Sequence, residues 1–236
     1  MKFLKMFNTF KFKIFESFND KVDIYKWLYD NKIISNNDII NKDNMKEFIQ
    51  YFIENNSDLI TKTAIKDCHA IGLNSFLLNT NPKIRLFVCE NNSELYNDYD
   101  FKNPLIPIHP HKYDDLFFQI KGKLIHHIYQ KSKYERGIDF TKFKFMRLND
   151  TEVDIKNLGS DKLKYIGPIS NINKLRAKVL HTASVSGDNS SWIIIETKKD
   201  ESFDQISYHQ DLKIRSDLYK VFDNPINYLN NWINSI

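Results

Sequence analysis

The hydrophobic period of this chain changes near Gly72, and that change restricts what it can fold into. Before it, apolar residues recur at helical spacing. "DKVDIYKWLYDNKIIS" sets Val22, Ile24, Tyr25, Leu28 and Tyr29 near one face, and "NKDNMKEFIQYFIENN" repeats this with Met45, Phe48, Ile49 and Phe52. Asp43 or Asn44 is a suitable cap for the second helix, and "SDLITKTAIKDCHAIG" follows with Ser57 as a cap and Gly72 as a stop. After Gly72 the runs are short and rich in β-branched and aromatic residues: "FLLNTNPKIRLFVCENN", "LIPIHPH", "LFFQIKG", "KLIHHIYQK", "FKFMRL", "TEVDI", "LKYIGPI", "AKVLHTASV" and "SWIIIETKK". Turn signals separate them at the spacing of an all-β barrel or sandwich. No βαβ alternation occurs, which disfavours a parallel sheet. Past residue 200 the chain reads as helical again, ending in "NPINYLNNWINSI". The expected organisation is a helical segment over 1–75, a mainly β domain over 76–198 and a helical extension over 199–236.

Composition narrows the function classes. With 236 residues, 42% of them hydrophobic, the chain can bury a sizeable core. Net charge is +4 and the lysines are spread, without the basic stripe of a nucleic-acid binder. No apolar run is long enough to span a membrane, and Lys11 and Lys13 interrupt what a signal peptide would keep apolar. The two cysteines, Cys68 and Cys89, form no CxxC pair, so a reducing, cytoplasmic setting is expected. Cys89 reads as a small buried apolar residue on a strand.

The chemistry concentrates in "HPHKYDDLFFQIKG", from His109 to Gly122. On an extended strand alternate side chains share a face, so His109 and His111 project to one side, where two imidazoles can share a metal ion. Asp115 has their parity. Asp114 has the opposite parity, unless a turn near Tyr113 resets the alternation. Gly122 reads as a sharp turn into "KLIHHIYQ". In that run alternation sends one of His126 and His127 inward and the other outward. Tyr129 and Trp192 read as core aromatics or pocket walls, and His69 and His209 receive no role.

His-x-His, three residues, a carboxylate, six residues and Gly resembles the first motif of the cupin superfamily, with Asp115 where that family has Glu. The resemblance covers about residues 73–198. It implies a double-stranded β-helix, the cupin jelly roll. It also implies a further ligand, His181 in "KVLHTASVSGDNSSWIIIE". A narrower pattern among small cupins, including the thiol-dioxygenase branch, is similar to "IRLFV" at 84–88, His109, His111 and Asp114, then Gly122, His126 and Tyr129. In that pattern Asp114 is the recurrent acid. The resemblance thus implies a metal set of His109, His111, Asp115 and His181; the pocket candidates are Asp114, His126 and Tyr129 from the narrower pattern, with His127 and Trp192 from the strand reading.

Such a site implies a divalent transition metal, Fe(II) first, with Zn, Mn or Ni also suited to imidazole. The leading expectation is a non-haem Fe(II) dioxygenase acting on a small molecule. The alternatives are a non-catalytic small-molecule-binding cupin and a metal-dependent sugar isomerase or epimerase. Expected partners are a small-molecule substrate and at most a second copy of the chain, with neither nucleic acid nor membrane. No GxGxxG or Walker loop is present, and "SVSGD" is not a nucleophile elbow.

Overall fold

The computed structural model describes residues 45–132, 136–147, 153–170, 172, 174–199, 205–210 and 218–236. The helical pattern at 22–29 and the basic N-terminal stretch lie outside them, as do Asp43 and Asn44. Among the described residues the chain is mainly β. Two helices, α1 (Met45–Asn55) and α2 (Ser57–Thr63), precede the strands, and a third, α3 (Pro225–Ile233), follows them. The strands are β1 (Ile65–Lys66), β2 (Leu73–Thr80), β3 (Lys83–Cys89), β4 (Tyr113–Lys131), β5 (Ile138–Arg147), β6 (Val153–Ser170), β7 (Lys174–Leu175), β8 (Leu180–Lys199), β9 (Ser207–His209) and β10 (Lys220–Val221). They form one antiparallel sheet in the order β10-β1-β2-β3-β8-β4-β6-β5-β9, with β7 paired to β4.

The change of period is real, but α2 stops at Thr63, well before Gly72. Ala64 is extended, and Ile65 and Lys66 pair with Val221 and Lys220 of β10. A partner from the far end of the chain therefore overrides the local helical signal. Among the described residues after 199, two short strands come before the helix: β9 adds to β5 and β10 to β1. The helix α3 has the start its sequence requires, with Pro225 in the first turn and the Asn224 side chain accepting from the Asn227 N–H at 3.1 Å.

Several runs that read as separate strands join into long ones. "LFFQIKG" and "KLIHHIYQK" are both in β4, and "AKVLHTASV" and "SWIIIETKK" meet in β8. The glycines between them mark bulges, not turns. Gly122 (φ +65) lies where the β4–β8 register shifts, and Lys121 pairs with Ser191 while Lys123 pairs with Ser186. Residues 187–190 of β8 are the excess, and Gly187 abuts Gly122. A bulge bends a strand and strengthens its twist, so one strand can serve two parts of a coiled sheet.

Alternation along β3 divides the molecule. Ile84, Leu86 and Val88 face a core shared with Phe48, Ile49, Phe52 and Ile53 of α1 and Leu229 and Trp232 of α3. Each such buried side chain contributes roughly 1.5–3 kcal/mol. Lys83, Arg85 and Phe87, on the opposite face, line a cavity. Two isolated bridges complete the architecture at that cavity. Ile108 pairs with Tyr208 of β9, and His109 pairs with His181 of β8.

Candidate metal centre

The pair His109–His181 exchanges both backbone hydrogen bonds: His109 N–H to His181 O at 2.9 Å and His181 N–H to His109 O at 3.1 Å. Directly opposed residues on antiparallel strands carry their side chains on one face. His111, two residues on, completes a group. His109, His111 and His181 each offer a ring nitrogen, and these atoms lie within 4.8 Å of one another. The three histidines can therefore hold a metal ion.

The hydrogen bonds fix which nitrogens those are. His109 Nδ1 lies 2.8 Å from Pro107 O, and His181 Nδ1 lies 3.3 Å from Val179 O. His111 Nδ1 contacts Asp115 Oδ2. A carbonyl or carboxylate oxygen only accepts, so each Nδ1 carries the proton and each Nε2 presents a lone pair. His109 Nε2 and His111 Nε2 stand 3.1 Å apart. Two bare lone pairs at that distance repel unless a cation lies between them. Burial pushes the pKa values of His109, His111 and His181 down, and the neighbouring histidines lower those of His111 and His181 further. All three are thus neutral, as ligands must be.

Asp115 stands outside the three-nitrogen group. Its carboxylate is fully buried, with Oδ2 on the remote nitrogen of His111 and Oδ1 without a partner among the described residues. Outer partners of this kind orient a ligating imidazole and raise its basicity. Directly across the ladder from Asp115 is Glu196, and Lys83 Nζ meets Glu196 Oε1 at 2.5 Å. Asp114 points elsewhere. Its Oδ1 accepts from the Ala177 N–H at 2.8 Å and its Oδ2 lies 3.6 Å from Lys174 Nζ.

His126 and His127 take opposite faces. His126 packs edge-on to Phe117 and lies near His181, with ring centroids 5.4 Å apart. Neither of its ring nitrogens has a partner among the described residues. His127 belongs to a separate cluster. Its Nε2 lies 2.8 Å from Ser184 Oγ and its Nδ1 3.0 Å from Tyr165 OH, with Tyr99 stacked on its ring. Tyr129 is in that second cluster too, where its hydroxyl meets Tyr99 and donates to Phe101 O at 2.8 Å. Trp192 is buried and stacked on Phe87.

A cavity of about 270 Å³ opens on His109, His111 and Asp115 and is also lined by Lys83, Arg85 and Lys112. Arg85 donates to Ser75 Oγ at 2.7 Å and forms no ion pair among the described residues. His69 also lines this cavity, as well as a neighbouring one of about 450 Å³. It stacks near His109 and bonds Tyr219 OH through Nδ1. Its φ of +69° lies in a turn closed locally, by the Leu73 N–H to Ala70 O and the Gly72 N–H to Asp67 Oδ1. Cys68 and Cys89 are free and buried, and burial pushes both thiols up to about 11, so they stay protonated. No helix among the described residues is long and apolar enough to cross a membrane. No protein-family model matches the chain, and no curated protein matches it.

Proposed function

We propose that the chain is a metal-dependent enzyme of the cupin jelly-roll type, with non-haem Fe(II) dioxygenase chemistry on a small anionic molecule as its activity. One observation carries this reading: three neutral imidazoles, each with Nδ1 on an oxygen, offer ring nitrogens within 4.8 Å of one another beside a cavity. Three nitrogen donors suit a divalent transition metal and leave coordination positions open. Fe(II) so held supplies a centre where dioxygen and a substrate can bind together. The chain's own residues account for the rest. Asp115 keeps His111 in the ligating tautomer, and the backbone carbonyls of Pro107 and Val179 do the same for His109 and His181.

The cavity walls bear on the substrate class. Arg85 is a half-buried guanidinium with no ion pair among the described residues, and Lys83 and Lys112 line the same space, against the carboxylates of Asp115 and Glu196. Burying a cation without a partner is costly, and a bound anion offsets that cost. A carboxylate- or phosphate-bearing small molecule fits best.

The test is elemental analysis of the full chain purified without chelator, followed by oxygen uptake by the Fe(II)-loaded protein with a panel of small carboxylates and phosphates. About one transition-metal ion per chain and substrate-dependent uptake are expected. Absence of bound metal ends the reading. Metal without oxygen uptake would move it to Lewis-acid chemistry, such as isomerisation.

A further inference from the structure

His126 is 2% exposed, and neither of its ring nitrogens has a hydrogen-bond partner among the described residues. A neutral imidazole has one N–H and one lone pair, and leaving a buried donor or acceptor unmade costs about 1–3 kcal/mol each. Its neighbour His127 has both nitrogens satisfied, so the strand itself permits satisfaction. On the His126 side, Phe117 packs at 4.6 Å between centroids, and the residue directly opposite is Ala183. Neither can bond an imidazole nitrogen. The nearby polar group is His181, whose centroid is 5.4 Å away, while the three ligand rings lie 4.8, 5.0 and 5.1 Å apart. His126 thus extends the same cluster by one ring, at nearly the same spacing. It does not line the cavity that His109 and His111 line.

We propose that His126 is a fourth nitrogen ligand to the ion held by His109, His111 and His181, closing the interior side and leaving the open positions toward the cavity that holds Arg85. This rests on the three-histidine reading above. Because the close group comprises three residues, ligation draws the His126 ring inward as the ion binds. The missing hydrogen bonds make that movement inexpensive, since it breaks none. The interior nitrogen does what the Asp115 carboxylate, held on His111 Nδ1, does not do directly.

Two measurements on the full chain decide the matter. X-ray absorption of the Zn(II)-loaded wild type counts imidazoles through their multiple scattering. Four are expected, and three with added oxygen ligands overturn the proposal. Co(II) titration then compares wild type with His126→Phe and His111→Ala. His126→Phe should lower Co(II) affinity by about tenfold or more and change the visible spectrum, given that even supporting groups around a site are worth 10–100-fold. Wild-type affinity and spectrum in His126→Phe, with loss in His111→Ala, would leave the three-histidine site standing and remove His126 from it. If His126→Phe does not fold, the imidazole count in the wild type decides alone. A wild type that takes up neither ion overturns both readings.

Discussion

His109 Nε2 and His111 Nε2 face each other at 3.1 Å, while an acceptor oxygen holds the far nitrogen of each ring. The strand geometry that puts two imidazoles on one side also turns their lone pairs together. Without a cation this contact is repulsive, and with one it is a chelate.

The first prediction concerns that contact. The double variant His109→Ala/His111→Ala should keep its far-ultraviolet circular dichroism and lose bound metal altogether. The backbone bridge from His109 to His181 does not depend on either side chain, so the fold should survive. Equal metal content in variant and wild type would refute the assignment.

The two adjacent acids should separate cleanly. Asp115→Asn removes the charge behind His111 and should weaken metal binding by about 10–100-fold. Asp114→Asn should leave metal affinity unchanged. It gives up only a long, partly exposed contact with Lys174, worth at most about 1 kcal/mol. Competition with a chromophoric chelator measures both. If Asp114→Asn proves the damaging change, the acid assigned to the site is the wrong one.

Acid should destabilise the metal-free protein in a defined window. Burial pushes His126 down to about 3 and His127 down to about 4, against about 6.5 in an unfolded chain. Below pH 6.5 the unfolded state takes up protons that the folded state refuses, so stability falls as pH falls toward the folded values. Between pH 6.5 and 5.5 each group contributes a loss of about 1 kcal/mol. Urea midpoints at pH 7.5, 6.5 and 5.5 measure this. A midpoint unchanged across that range would contradict the buried, neutral state of these rings.

Gly122→Ala should be strongly destabilising, by about 2 kcal/mol or more. The residue is at φ +65, and a Cβ there would stand 2.8 Å from Ser190 Cα, against backbone that cannot yield. Gly159→Ala, also at positive φ but with open space around it, should cost less, about 1 kcal/mol. Thermal unfolding of the two variants side by side checks the order.

Local geometry was legible along the chain. Period-two alternation put His109 and His111 on one side and split His126 from His127, and the closing helix was legible in "NPINYLNNWINSI". The coarse division into helices followed by strands was legible for the same reason: period and capping are properties of neighbouring residues. The remainder came from packing between distant segments. That Gly122 and Gly187 are abutting bulges, not turns, depends on two strands 65 positions apart bending at one point. Which of His126 and His127 faces His181 depends on the register of β4 against β8. Asp115 turns to the remote nitrogen of His111 because 109–111 pairs with β8 and β4 begins only at Tyr113, so parity does not run unbroken between them. His69 reaches the cavity through contacts with Tyr219, 150 residues away. Spacing along a chain fixes direction relative to neighbours, and only the packing of distant strands fixes what lies in that direction.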